Sequence, residues 1–304
     1  MTTPRSTPGK VTWPGRVVAA GIVLAALAFL PRSAIGPART ADSNGVPNFD
    51  HVAVIIMENK AYDEARTPRY TSSLIARGAS FSNSYAITHP SQPNYLALWS
   101  GSTMGVAGNS CPPQGSPYTT ENLGHACETA GLTWAAYAED LPQVGSSICK
   151  AGLYARKHAP WTNWSNVNHA NERPLADLDS AEANGNLPNL VFVVPNQCND
   201  THNAGCTPAD GDRWLASHLP GLLDAVGPRG LVILTWDEAD LSPTNQILTV
   251  FAGPPVKCGF VSSRYVSHYA ILRTITDGLR LPAFGAAAAD SAITDVWAMT
   301  EKLD

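Results

Sequence analysis

Val52-Ala53-Val54-Ile55-Ile56-Met57-Glu58-Asn59 and Leu231-Val232-Ile233-Leu234-Thr235-Trp236-Asp237-Glu238 decide how this chain folds. Each is an apolar, β-favouring run that ends in two polar residues. Apolar runs of this length without polar alternation read as strands buried on both faces, and such strands belong to parallel sheets covered by helices. Polar residues just beyond the C-terminal ends of such strands sit where open α/β sheets place their active sites. The reading brings Glu58, Asn59, Asp237 and Glu238 to one sheet edge. Three carboxylates and a carboxamide repel one another there unless a cation joins them, and an all-oxygen set suits a hard divalent ion.

Outward from these two runs, strand-like and helix-like segments alternate. The pattern predicts strands over 80–86, 133–138, 189–194 and 246–252, and helices over 71–77, 93–100, 121–130, 212–225 and 267–278. Such alternation argues for a mainly parallel sheet with helices on both faces. Between Pro142 and Pro188 a stretch rich in Asn, Pro, Trp and His has little periodicity and reads as a functional loop or small subdomain. With 304 residues, 44% hydrophobic and 15% charged, the chain has the composition of a folded protein. Its net charge of -5 leaves no basic stripe to neutralise a phosphate backbone, which argues against nucleic acid as a dedicated partner.

Arg5, Lys10 and Arg16 precede an uncharged apolar stretch over 17–30. A basic region ahead of an apolar one of this length reads as a secretory signal, being short of the roughly 20 residues of a membrane span. Small residues at Ala34 and Gly36 are followed by Pro37, a poor cleavage site, so an uncleaved segment that anchors the protein to a membrane is the alternative. The division expected is a leader and linker over 1–46 and one catalytic domain over 47–304, secreted or extracytoplasmic. Six cysteines lie beyond the leader, an even number that favours disulfides in an oxidising compartment. Pairing of sequence neighbours predicts Cys111 with Cys127 and Cys198 with Cys206, leaving Cys149 for Cys258; the alternative is that one or two stay buried thiols.

Thr88-His89-Pro90-Ser91-Gln92-Pro93-Asn94 opens a predicted helix, and a hydroxyl there lies beside unpaired N–H groups and the positive end of the helix dipole. Ser91 is then either an N-cap or a nucleophile, and metal-site candidates on neighbouring strands favour the second. Seven segments in order carry a resemblance: 51–59, 88–98, 154–161, Val194 to His202, 211–215, 235–238 and 267–275. Together they resemble the phosphoesterase family of bacterial acid phosphatases and phospholipases C, within the alkaline-phosphatase-like superfamily. The resemblance implies a three-layer α/β/α sandwich, with Glu58, Asn59, Asp237 and Glu238 as metal ligands. It further implies Ser91 as nucleophile and additional metal contact, and His158 and His202 as phosphate-contacting or proton-donating groups. The ion expected on all-oxygen ligands is Ca²⁺, Mg²⁺ or Mn²⁺, with Zn²⁺ admitted because related sites use it.

Other residues carry two readings each. Lys157 supplies charge to a phosphate or is a solvated lysine, and His268 lines the pocket or packs. Asp200 and Asp212 orient the histidines or cap a helix, and the cap is preferred for Asp212. Trp161 and Trp164 wall a substrate's organic group or belong to the core. The function expected is a secreted, metal-dependent phosphomonoesterase of acid-phosphatase type, acting on phosphate esters through a phosphoserine. A phospholipase C is the alternative, disfavoured because larger phospholipase members carry a C-terminal extension with no counterpart here. A non-catalytic binding protein is the third reading, opposed by the intact set of Glu58, Asn59, Ser91, Asp237 and Glu238.

Overall fold

The structure, a computed structural model, describes residues 45–240 and 242–298. The leader read over 1–46 lies almost wholly outside these residues, as does any anchor within it; Val46, at its end, is buried in the core. No helix among the described residues is long and apolar enough to cross a membrane.

The two founding runs become β1 (His51–Met57) and, after β2 (Ala79–Phe81), β3 (Trp134–Ala138), β4 (Glu172–Pro174) and β5 (Leu190–Val194), the strand β6 (Gly230–Trp236); β7 (Thr249–Ala252) and β8 (Phe260–Ser262) complete an 8-stranded sheet. The order across it is β8-β2-β7-β6-β1-β5-β3-β4. β7 runs antiparallel to both neighbours and the other pairings are parallel.

The strand β1 shows why an unbroken apolar run is needed at the centre. Val52, Val54 and Ile56 enter one core and Ala53, Ile55 and Met57 the other. Helices α3 (Ser91–Ser100), α4 (Leu123–Thr129) and α7 (His268–Leu279) cover the first face. Helices α2 (Arg69–Arg77), α5 (Ala176–Ala183) and α6 (Pro208–Ala225) contribute Leu74, Leu178 and Leu219 to the second, and the one-turn helix α1 (Tyr62–Ala65) adds Ala65. The three layers are those expected.

Several local expectations need correcting. The strand expected over 80–86 breaks after Phe81 into a turn, and Ser84–Tyr85 pairs instead with Val266–Ser267 in a separate ladder. The helix expected from Asp212 begins a turn earlier at Pro208, where Thr207 and Asp210 form a capping box. Asp212 does cap a helix, but a different one. Its carboxylate accepts from the backbone N–H groups of Tyr70 and Thr71 at 2.9 and 2.8 Å, in the first turn of α2. The aperiodic stretch Pro142 to Pro188 contains β4 and α5 at the sheet edge. Cysteine pairing also differs: Cys111 bonds Cys149, with Cα atoms 5.7 Å apart, while Cys198 bonds Cys206 as expected. Cys127 cannot reach Cys111 because it lies on the inner face of α4, sealed in the core, and Cys258 is an exposed thiol.

Candidate active site

Register between β1 and β6 sets the first two groups. Met57 pairs with Trp236, so Glu58 and Asp237 leave adjacent strands at the same level, and the Asp237 N–H donates to the Met57 carbonyl at 2.9 Å. Asn59 follows with φ of 51°, a left-handed conformation that Asn tolerates better than most residues, and its N–H donates to Asp237 Oδ1 at 3.3 Å. Glu58 and Asp237 are buried, with 0% and 1% exposure.

Ser91 is the first residue of α3, delivered by a loop tied down on two sides. Asn94 Oδ1 accepts from the N–H groups of Ile87 and Thr88, and its amide donates to the carbonyls of Thr88 and Pro90. Asn245 donates to the Thr88 carbonyl at 2.9 Å and accepts from the Ala239 N–H, which links this loop to the one after β6. Held so, Ser91 Oγ lies 3.0 Å from Glu58 Oε2 and 3.1 Å from Glu238 Oε1. His89 Nδ1 hydrogen-bonds the other oxygen of Glu238.

Two further loops close the site. Lys157 and His158 follow the hairpin Lys150–Ala151/Tyr154–Ala155, and the buried Arg156 beside them fixes the loop through Thr162, Asn163 and the Ser147 carbonyl. Lys157 Nζ lies 3.3 Å from Ser91 Oγ and 2.9 Å from His202 Nε2. His158 stacks on Tyr95, with ring centroids 5.0 Å apart, and its Nδ1 lies 3.4 Å from Asp200 Oδ2. Its Nε2 lies 3.0 Å from Glu58 Oε1, at an angle that leaves neither atom a hydrogen-bond partner. The loop after β5 carries Asp200 and His202, and the Cys198–Cys206 disulfide closes it. Asp200 Oδ1 accepts from the backbone N–H of His202 at 2.8 Å, and its Oδ2, near His158, is buried without a hydrogen-bond partner.

The charges answer to burial and to one another. Burial works against the ionised Glu58, but His158, Lys157 and His202 together outweigh it and hold its carboxyl below the ordinary value. Burial and the neighbouring charges of Glu58 and Glu238 push Asp237 well up. Burial, with Glu58, does the same to Asp200, and burial raises Glu238 more modestly. Burial lowers His158 to about 3 against the pull of Glu58.

Between these groups lies a cavity of about 330 Å³ lined by Asn59, Ser91, Asn109, His202 and Glu238 among others. A larger one, about 540 Å³, lies between β3 and α5 and is lined by residues such as Arg173, Asp177 and Asn184, with no comparable convergence of carboxylates and a hydroxyl. The smaller cavity is where chemistry is possible. Its donors fit a divalent cation: Asp237 Oδ2 and Glu58 Oε1 are buried without hydrogen-bond partners, and such atoms are stabilised by a positive ion. Glu58, His158 and His202 also present ligand atoms within 4.8 Å of one another, which adds nitrogen donors to a set expected to be all oxygen.

Of the residues singled out from sequence, Asn59, Ser91, His202 and Glu238 thus line one cavity, with the buried Glu58 hydrogen-bonded to Ser91, Asp237 bonded to the Asn59 N–H, His158 beside Glu58 and Lys157 against Ser91. The tryptophans do not wall it. Trp161 and Trp164 are core residues, packed at 5.7 Å on Trp99 and 4.9 Å on Tyr118. His268 does not line it either; its Nε2–H donates to the Asp237 carbonyl at 2.7 Å. The roles of His89 and Asn245 carry no sequence signal, because their partners lie 149 and 157 residues away.

The family profile described as Phosphoesterase family matches residues 61–282. A curated relative, the phosphatidylinositol-3-phosphatase of Mycobacterium tuberculosis, is 40% identical over 259 residues, covering 84% of this chain and 85% of that protein. The acid phosphatase of Aspergillus fumigatus is 28% identical over 255 residues, 78% of this chain and 56% of its own, so the chain spans little more than half of that relative. Among solved structures, a protein in the alkaline phosphatase superfamily from Vibrio parahaemolyticus matches with a TM-score of 0.58 at 9% identity, over 78% of this chain and 68% of that one. Murine ectonucleotide pyrophosphatase/phosphodiesterase 5 matches with a TM-score of 0.55 at 10% identity, over 82% and 100%. At these identities the likeness to solved structures is one of fold.

Proposed function

Since the chain belongs to the phosphoesterase family and is a phosphoric ester hydrolase, we propose that it is a metal-dependent phosphomonoesterase working through a phosphorylated Ser91. The observation that carries this is the position of Ser91 Oγ, within 3.1 Å of both Glu58 and Glu238 and 3.3 Å from the Lys157 ammonium. A serine hydroxyl is a weak nucleophile unless its proton is drawn away and its anion stabilised, and these neighbours supply both.

We assign the cation to Glu58, Asn59, Ser91, Asp237 and Glu238, with His158 and His202 as nitrogen donors beside Glu58. When bound, the ion supplies Lewis-acid stabilisation of non-bridging phosphoryl oxygens and of the serine alkoxide. A carboxylate, Glu58 or Glu238, receives the Ser91 proton. Ser91 Oγ forms a bond to phosphorus as the bond to the ester oxygen breaks, and the leaving alkoxide takes a proton from His202 in the cavity wall or from Lys157 beside Ser91. Water then cleaves the phosphoserine, returning the hydroxyl and releasing phosphate. His158 lines no part of the cavity, so its assigned role is to hold Glu58 and the ion.

The relative from M. tuberculosis bears a name for hydrolysis of a phosphorylated lipid headgroup, which supports such a headgroup as one substrate. The disulfides agree with an extracytoplasmic location, which we propose together with the leader. The test is a panel of aryl phosphate, aryl phosphorylcholine and phosphatidylinositol 3-phosphate, assayed with and without chelator and with Ca²⁺, Mg²⁺, Mn²⁺ or Zn²⁺ restored. Hydrolysis of the monoesters, lost on chelation and restored by one ion, is the expected result. Full activity after exhaustive chelation with no metal by elemental analysis ends the metal-dependent reading, and preference for the diester replaces phosphatase by phospholipase C.

A further inference from the structure

The loops that carry Asn59 and His202 stay tied to each other beyond the end of their strands. Pairing of β1 with β5 stops at Ile55 and Val193, and the chain after β5 returns to β1 only at Asp200. There the Glu58 N–H donates to the Asp200 carbonyl at 2.8 Å, and Thr201 Oγ1 donates back to the Glu58 carbonyl at 2.7 Å. Lys60 makes the last link. Its ammonium donates at 3.0 Å to the carbonyl of Asn59 and at 3.0 Å to that of Thr201.

Both carbonyls belong to residues with left-handed backbones, Asn59 at φ of 51° and Thr201 at φ of 77°. Asn tolerates that region, but a β-branched Thr is an outlier there and keeps the conformation only where its surroundings over-determine it. Among the described residues Lys60 is the hydrogen-bond donor to each of these carbonyls, and Thr201 is buried, where an unpaired carbonyl is costly. The same ammonium fixes two groups of the site. The Asn59 backbone is held at its N–H by Asp237 Oδ1 and at its carbonyl by Lys60. The peptide joining Thr201 to His202 is held likewise, its carbonyl by Lys60 and its N–H by Asp200 Oδ1. Asn59 and His202 line the cavity and Lys60 does not. His202 Nε2 in turn lies 2.9 Å from Lys157 Nζ, so a shift of its loop disturbs both groups assigned to the leaving-group proton.

We propose that Lys60 is a positioning residue for the reaction, a cationic clamp that joins the loop of Asn59 to the loop of His202 and sets both side chains in the cavity wall. This rests on the phosphomonoesterase reading above, in which Asn59 holds the ion and His202 serves the leaving group. An ammonium has donors enough for both carbonyls at once, whereas methionine in its place keeps the apolar stem and makes neither bond.

The experiment compares wild type, Lys60→Met and Lys60→Arg, per folded molecule as read by circular dichroism. Affinity for Ca²⁺, Mg²⁺, Mn²⁺ and Zn²⁺ is measured by calorimetry without substrate, and kcat and KM on 4-nitrophenyl phosphate and on an alkyl phosphate. Lys60→Met is expected to bind the ion about tenfold more weakly and to lose turnover by about tenfold or more, the usual effect of removing a group that orients a ligand. The loss should be larger on the alkyl phosphate, whose leaving group needs a proton, than on the aryl ester, whose leaving group does not. Lys60→Arg, which keeps a cation with several N–H donors, should recover much of both. Lys257→Met also removes an ammonium bonded to a carbonyl, that of Asp295, on the segment after the antiparallel β7, and should behave as wild type. Where Lys60→Met does not fold, Lys60→Gln is held to the same expectations. Unchanged metal affinity, equal losses on the two esters, or a Lys60→Arg as impaired as Lys60→Met overturns the clamp. Failure of metal-loaded wild type on both esters overturns the phosphatase reading instead, and the metal affinities then decide the clamp by themselves.

Discussion

Ser91 is held by contacts a purely structural serine does not need. Its hydroxyl faces two carboxylates and an ammonium and makes no cap to its own helix, whose N-cap is Pro90. Replacing Ser91 by Ala is therefore expected to abolish turnover while changing stability by about 1 kcal/mol at most. Quenching wild type in acid during turnover should trap phosphate on this residue, and an Ala variant with near wild-type rates would make Ser91 a bystander. Asp237→Asn removes a charge beside an orphaned oxygen and should weaken metal binding and hydrolysis together, with partial rescue at higher metal concentration; activity lost with metal content intact would move the ion elsewhere. Glu58, Asn59, Asp237 and Glu238 were legible because each ends an apolar run. His158 and Lys157 were legible only as members of a motif, since the loop that bears them has no periodicity of its own. That the histidines stand beside Glu58 depends on packing across Tyr95 and Asp200, which no local pattern encodes.

Among the elements, α6 packs against Met57 of β1 at a residue without a side chain. A Cβ on Gly211 would lie 2.7 Å from Thr201 Cγ2 and 2.8 Å from Met57 Cε. Gly to Ala inside an exposed helix ordinarily stabilises by about 1 kcal/mol. Here the sign should reverse, with Gly211→Ala costing roughly 1–3 kcal/mol by overpacking, read as a lower denaturant midpoint at unchanged slope. Thr201 donates to the Glu58 carbonyl at 2.7 Å and adjoins Asp200, so turnover should fall beyond the loss of folded protein. A variant as stable as wild type would mean that α6 slides freely on β1. Central strands and long helices were readable because burial on both faces, or one apolar stripe, marks them over many residues. The edge strands β4 and β8 have 3 residues each, too few for a period to register, and their pairing partners decide them.

On the scale of the whole molecule, Glu172 connects the edge strand to the hairpin ahead of Lys157. Tyr154 Oη donates to its Oε1 at 3.1 Å, and burial raises its carboxyl to about 7 despite Trp161, Tyr154, Arg156 and Ser146 favouring the anion. A folded-state value above the unfolded 4.5 means that the native protein binds this proton more tightly. The contribution is full below the unfolded value, declines as pH rises through the window to about 7, and is gone above it, a change of about 3 kcal/mol. Glu172→Gln should flatten that part of the stability profile and raise the melting temperature at pH 8 relative to wild type. Parallel profiles for the two proteins would show that Glu172 is ionised at little cost. Pairing of cysteines lies at this scale too: it follows from where loops meet, which is why Cys111 found Cys149 and not the nearer Cys127.

Both disulfides clasp loops of the active site and neither crosses the sheet. One joins the Asn109 segment to the hairpin ahead of Lys157, and the other encircles Asp200 and His202. Mild reduction should therefore silence hydrolysis while circular dichroism reports an intact sheet, and reoxidation should restore it. On the extracytoplasmic location proposed above, a chain with both pairs still reduced is expected to be folded and inactive, so that oxidation, and not folding, completes the site.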